Sequence, residues 1–344
     1  MNDSVFFPTK LSDLEKIKDT HNRIEITPFD DQSLAFSIVL PKDWKFEENL
    51  GEQIVDIGRL VTLGVFGPQI GPNSPVVQVS FSPIPFEICV LEWIRFQAEN
   101  AGVELEYAEY CEFSFGAGVD AGGFVGSGKD RHVVRISGFA DSGRVFLAMA
   151  MIKESQYTAN KNDMAIATHS CRLVRPAGHS VLEQRLSIAS TNPATIVAYP
   201  VSWQPSVVEK SIAGKYGLDL KLASEDSLLA YMRVKAQDIS IFPAGDLSSQ
   251  LETVVEELAE ANVTPTSKWT PRPTPVSEDI RNVCVAEGQM RGEPIEIRYG
   301  EVQRNGLAFA VTLISVTRQE NPLLWMRSTS AFEMVIASVD VNPA

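Results

Sequence analysis

The sequence predicts an α+β protein of two tandem repeats, each an antiparallel β-sheet with helices packed on its faces. The first observation behind this is a stretch that occurs twice: Phe36 to Trp44 and Ala194 to Trp203 both read as a strand that ends at a Pro (Pro41, Pro200) and is followed three residues on by a Trp (Trp44, Trp203). The second is order, because strand, helix and hairpin patterns recur at an offset of about 160 residues, the signature of a duplicated unit. The third is size and composition: 344 residues suffice for two cores, and 44% hydrophobic with 22% charged residues is ordinary for a globular chain.

Residues 1–23 read as a lead-in, with Leu11, Leu14, Ile17 and Lys18 at helical spacing after Thr9 or Ser12. The first repeat spans 24–175. Ile24–Ile26 and Leu34–Leu40 pair as a hairpin around Asp30–Ser33. Glycines and prolines between Leu50 and Pro75 predict loops around one or two short strands, one over Arg59–Leu63. Val76–Phe81 alternates as a strand. Phe86–Ala101 reads as the main helix, with Val90, Ile94, Gln97 and Ala98 on one stripe and Gly102 as its C-cap. Glu104–Phe115 alternates apolar with acidic residues, as a strand with one wet face does. Val133–Ala140, the turn Asp141–Gly143 and Arg144–Met151 form a strong hairpin, and Val145–Met151 is apolar throughout, so both its faces need cover. Asn162–Val174 closes the repeat as a helical segment.

Residues 176–187 read as a linker and 188–344 as the second repeat. Here Leu228–Val234 matches the strand at Val76, and Leu247–Asn262 matches the main helix. Ile295–Gln303, the turn Arg304–Gly306 and Leu307–Val316 match the hairpin, while Ser330–Val339 matches the closing segment. A Pro-rich run, Thr264–Pro275, replaces the alternating strand. Its composition predicts extended polyproline II, with Trp269 either facing a partner or pinning the run to its own domain.

Several functional classes are excluded or left without support. The net charge of −14, about −8 over 1–175 and −6 over the rest, repels phosphate backbones and anionic lipid, so nucleic acid and bare membrane are poor partners. No run of about 18 apolar residues spans a membrane. The N-terminus is not secretory in pattern, which predicts a cytoplasmic location. Cys89, Cys111, Cys171 and Cys284 are widely spaced, which predicts buried thiols rather than a disulfide framework or metal site. Gly123–Asp130 nearly spells a phosphate-binding loop, yet Asp130 stands where the magnesium-binding hydroxyl belongs and a strand follows; a flexible Gly-rich loop over 116–128 is the plainer expectation. The four histidines, His21, His132, His169 and His179, form no catalytic set with a nucleophile, and His169 near Cys171 reads as a packed or surface pair rather than a catalytic dyad. No catalytic, cofactor-binding or metal-binding residue is therefore assigned. The candidates for partner contact are Trp269 and the helix-face carboxylates Glu252, Glu256 and Glu260, which a basic partner would suit.

The order just described, with Leu40, Pro41 and Trp44 and again Tyr199, Pro200 and Trp203, resembles the PsbP-like superfamily, and within it the bacterial DcrB and Eag-type branches. The resemblance implies an α+β sandwich around a sheet of about six antiparallel strands. It also implies binding rather than catalysis, since such domains include an extrinsic subunit of the photosynthetic oxygen-evolving complex, a Ran-binding transport factor, envelope lipoproteins and chaperones of type VI effectors. The implied role is a protein-binding adaptor or chaperone that receives an apolar segment of a protein partner. The alternative is a small-ligand binder or enzyme using the Gly-rich loop or an inter-repeat cleft.

Overall fold

A computed structural model describes residues 7, 17–47, 56–68, 74–179, 181–191, 193–207, 215–225, 227–241, 246–272 and 280–341. The chain divides into two compact units, Met1–Pro85 with Val90–Leu182, and Phe86–Cys89 with Glu183–Ala344. The fold is α+β, with antiparallel sheets and, among the described residues, four α-helices. Most of the expected lead-in helix lies outside the described residues, and His21 and Asn22 at its end already belong to the first strand.

In the first unit β1 (His21–Ile26), β2 (Phe36–Pro41) and β10 (Arg172–Leu173) make a small sheet in the order β1-β2-β10. The large sheet runs β3-β4-β5-β9-β8-β7-β6, from β3 (Lys45–Glu47), β4 (Val61–Gly67), β5 (Val76–Pro83), β6 (Glu104–Phe113), β7 (Gly116–Val125), β8 (His132–Ala140) and β9 (Arg144–Lys153). Helix α1 (Val90–Asn100) packs on β6 to β8, burying Trp93, Ile94 and Ala98, and Gly102 ends it at φ +70°. Helix α2 (Glu154–Ser170) packs on β9, β8 and β2, and its Met164 and Ala167 join a core with Phe36, Ile38, Val79 and Phe146. Both faces of β9 are covered, as its apolar run demands.

The second unit pairs β11 (Arg185–Thr191), β12 (Ala194–Pro200) and β21 (Asp340–Val341) in a small sheet. Its large sheet runs β13-β14-β15-β20-β19-β18-β16, from β13 (Gln204–Val207), β14 (Lys215–Ser224), β15 (Ser227–Asp238), β16 (Val263–Pro265), β18 (Ile280–Met290), β19 (Glu293–Arg304) and β20 (Leu307–Val316); β17 (Thr270–Pro271) pairs with β18 beside β16. Helix α4 (Pro322–Ser338) starts at an Asn321 cap with Pro322 in its first turn, and it buries Ala331, Phe332, Val335 and Ile336 against Met232, Val234, Val311 and Leu313. Helix α3 (Leu247–Glu260), capped by Asp246, whose carboxylate accepts the Ser249 N–H at 2.9 Å, lies over the opposite face.

The recurring stretch has the same local geometry in both places. The Trp44 N–H donates to the Pro41 carbonyl at 3.1 Å and the Trp203 N–H to the Pro200 carbonyl at 3.0 Å. Trp203 is fully buried among Tyr199, Leu220 and Val339, while Trp44 packs half-buried against the first core.

Five sequence expectations need correction. The Gly-rich segment is not a loop: Gly116–Val125 is the ten-residue strand β7, buried over most of its length. Its glycines serve close approach, since a β-carbon at Gly122 would lie 2.5 Å from the Tyr107 ring and 2.7 Å from Phe7, and one at Gly123 would strike the Glu104 carbonyl. Helix α1 begins at Val90 rather than Phe86, because Phe86–Cys89 is irregular chain that belongs to the second unit. Helices α2 and α4 each begin eight residues before Asn162 and Ser330; the early turns of α2 are polar and bury little beyond Tyr157, so periodicity does not reveal them. The supposed linker 176–187 already contains the start of β11. Two parts of the Pro-rich run, Thr264–Pro265 in β16 and Thr270–Pro271 in β17, pair with β18 rather than standing as free extended chain, with its last residues outside the described set.

Truncating Trp203→Ala removes a fully buried ring and should cost about 3–5 kcal/mol, with Trp44→Ala costing less, as read by chemical denaturation. Gly123→Ala should destabilise by about 1–3 kcal/mol in the same assay, whereas a glycine in a flexible loop would be neutral or gain.

Candidate functional site

On the second unit, alternation along three strands builds the face that α3 lies across. Strand β15 turns Tyr231, Arg233 and Lys235 toward α3, β19 turns Ile295, Ile297, Tyr299 and Glu301, and β20 turns Ala308, Ala310, Thr312 and Ile314. Helix α3 sends down Val254 and Leu258. Because β20 offers alanines and a threonine there, the helix does not close onto the sheet along its whole length, and two neighbouring cavities open, one toward the C-terminal half of α3 and one toward its N-terminal half. One, of about 570 Å³, is lined by Leu228, Tyr231, Leu258, Ile295 and Ile314 with charged residues around its mouth. The other, of about 520 Å³, is lined by Gln250, Thr253, Tyr299, Glu301, Phe309 and Ala310.

The polar groups of this face are organised. Arg233 grips Asp219 through two bonds, Nε to Oδ1 at 2.8 Å and Nη2 to Oδ2 at 3.1 Å, and that bond holds its guanidinium above its ordinary range. Lys235 donates to Glu257 of α3. Burial pushes the phenols of Tyr231 and Tyr299 up, so both stay protonated; the Tyr299 hydroxyl donates to Gln250 on α3. Gln250 in turn donates to Glu301 at 3.3 Å.

The sequence-derived candidates fall around this region. Glu252, Glu256 and Glu260 are exposed on the outward face of α3, and none makes an ion pair among the described residues. Glu257, between them in sequence, instead turns inward to Lys235. Trp269 is half-buried against the cluster that holds Val254 and Leu258, so it packs on its own unit. Glu301, Arg233 and the cavities themselves have no compact motif. The only signal in the sequence is a carboxylate, Glu301, on the strand face that otherwise carries Ile295, Ile297 and Tyr299.

The first unit holds a buried polar cluster of a different kind. Asp120 on β7 is bound by Arg135 of β8, with Nε to Oδ1 at 3.2 Å and Nη2 to Oδ2 at 2.8 Å, and by the Tyr107 hydroxyl at 3.1 Å. The Nε2 atom of His169 lies 2.9 Å from Arg135 Nη2 and 3.1 Å from Asp120 Oδ1. That nitrogen accepts from Arg135 when its proton is on Nδ1 and donates to Asp120 when the proton is on Nε2; it does one of these at a time. Burial pushes the Asp120 carboxyl up, but the His169 hydrogen bond and the Arg135 charge outweigh it and hold the group below its ordinary value. No nucleophile joins this set among the described residues. Cys171, two residues from His169, faces the apolar core, and burial pushes its thiol up to about 12. The near match to a phosphate loop ends in a three-residue 3-10 turn, Gly128–Asp130, before β8, without the helix such a loop needs. No group of three metal-ligating side chains occurs among the described residues, and no helix is long and apolar enough to cross a membrane.

No family model matches the sequence, and no curated protein matches it either. The fold is similar to several solved structures. Cyanobacterial PsbP from Synechocystis sp. PCC 6803 is 14% identical, with 45% of this chain and 92% of that chain covered at a TM-score of 0.34. The Ran-binding protein Mog1p of Saccharomyces cerevisiae is 10% identical over 46% of this chain and 96% of its own, at 0.33. The immunity protein TplEi of the T6SS from Pseudomonas aeruginosa is 11% identical over 90% of this chain and 95% of its own, at 0.24. Likeness at this level carries no functional weight, and the reading below rests on the chain's own surfaces.

Asp120→Asn leaves Arg135 buried without its counter-charge and should cost about 3–5 kcal/mol in denaturation. Because the native pKa of Asp120 is lowered, its contribution is complete above the ordinary carboxylate value and is lost as pH falls from about 4 toward the native value. Wild-type stability should therefore drop over that acid range by more than that of Asp120→Asn.

Proposed function

We propose that this chain is a non-enzymatic protein-binding adaptor or chaperone, made of two copies of one PsbP-like domain, whose second copy receives an apolar segment of a partner beside α3. Support for the duplication comes from the matching strand orders, each a small sheet plus a large sheet whose central pair is a long hairpin strand beside the strand that precedes the helix. The observation that carries the binding reading is the 570 Å³ cavity, with Tyr231, Leu258, Ile295 and Ile314 as an apolar lining and Leu228, 50% exposed, at its edge. An open apolar lining of this kind gains from covering by an apolar segment. The outward carboxylates Glu252, Glu256 and Glu260 and the net charge of −14 favour a segment flanked by basic residues. In keeping with the resemblance of the sequence to the DcrB and Eag-type branches, we place the role in bacterial secretion or envelope assembly and the protein in the cytoplasm.

A second reading, a small-ligand site in the same grooves, is favoured by the cavity sizes, 570 and 520 Å³, which lie within the range of about 300–1,000 Å³ usual for ligand sites. A metabolite that occupied one at about 100 times its dissociation constant would add about 2.7 kcal/mol of stability.

Fluorescence anisotropy with a labelled apolar peptide tests the main reading, in one version with lysine flanks and in another with glutamate flanks. The lysine version should bind, weaken with salt, and lose at least about tenfold in affinity on Leu228→Asp or on joint replacement of Glu252, Glu256 and Glu260 by Lys. Equal binding of the two peptides, or none, would overturn it.

A further inference from the structure

Four charged side chains line the 520 Å³ cavity: Arg233, Lys235, Glu257 and Glu301. Three of them are neutralised in place, Arg233 by Asp219 and Lys235 with Glu257 by each other. Glu301 is the remainder. It is 5% exposed, and among the described residues its carboxylate meets only neutral amides, Gln250 at 3.3 Å and Gln303 at 3.4 Å on Oε1 and Asn282 at 3.5 Å on Oε2. These contacts are long beside the roughly 2.7–2.9 Å of a bond between ionic partners, and two carboxylate oxygens offer about four acceptor positions. A buried carboxylate with so little compensation is costly to hold, and a cation supplied from outside would remove that cost.

We infer that this cavity is a binding site for an alkylammonium group, with Glu301 as the counter-ion. The rest of the lining suits such a ligand. Val254, Ala308 and Ala310 offer an apolar wall for a methylene stem, and the hydroxyl of Thr253 stands on the helix beside it. The two cations that reach the cavity do not compete for Glu301, because each is held by its own carboxylate. The ammonium group can be carried by a lysine side chain of a protein or by a free diamine. The inference concerns the cavity toward the N-terminal half of α3, next to the apolar groove, and it does not rest on the peptide reading.

Isothermal titration of the full chain with Nα-acetyl-lysine amide, Nα-acetyl-norleucine amide and cadaverine tests it. The two ammonium probes should bind and the norleucine probe should not, and Glu301→Gln should weaken ammonium binding by at least about tenfold. Tighter binding of the capped lysine assigns the site to a protein side chain, and tighter binding of cadaverine assigns it to a free diamine; either supports the site. Absence of binding by both ammonium probes, binding of norleucine as tight as lysine, or unchanged affinity in Glu301→Gln would overturn it. Should Glu301→Gln fail to fold, Thr253→Trp, which fills the cavity from an exposed helix position, gives the same reading: retained ammonium binding in that variant overturns the site.

Discussion

A large antiparallel sheet with apolar side chains on both faces must be covered twice, and in each unit the way this is done decides everything else. One face is covered by the closing helix, α2 or α4, together with the small three-stranded sheet, and these make the deep cores around Phe146 and Phe309. The other face is left to a single shorter helix. In the first unit α1 meets that demand with Trp93 and Ile94, both fully buried, and the approach is close enough that Gly138 beneath Ile94 has no room for a side chain. In the second unit α3 brings only Val254 and Leu258 into the core, and the sheet below offers Ala308, Ala310 and Thr312. The space that large side chains would have filled becomes the two cavities.

The same contrast explains where polar groups sit. The first unit buries its charges as one compact cluster, Asp120 with Arg135, Tyr107 and His169, inside a packed face, with Arg135 Nη1 the one buried donor of the set that finds no acceptor among the described residues. The second unit spreads its charges along grooves open to solvent, where Asp219 with Arg233 and Lys235 with Glu257 stand as separate pairs and Glu301 is left to amides.

Much of the architecture is legible in the sequence, and the failures have physical causes. The strands at Val76, Val133, Arg144 and Leu307 and the helix at Leu247 stand out because alternation, turns and caps agree there. Strand β7 does not, because its glycines were needed for close packing against Tyr107 and Glu104, and glycine read locally signals a loop. Strands β14 and β18 are not assigned from the sequence, although Tyr216, Leu218, Leu220 and Leu222 alternate through β14 and the Arg291–Gly292 turn follows β18. Of the site, the acidic face of α3 was visible, since Glu252, Glu256 and Glu260 follow helical spacing. The cavities were not, because they arise where small residues of β20 meet a helix some fifty positions away in the chain.

The edges of the large sheets carry a further consequence. One edge of each is unsuited to pairing: β6 bears Glu104, Glu109 and Glu112, and β16 and β17 end in Pro265 and Pro271. Like charges and missing N–H donors both deny a neighbouring chain a template for strand addition. A molecule guarded in this way along one rim of each large sheet can keep an apolar groove open on its face without inviting its own copies to pair with it strand to strand along that rim.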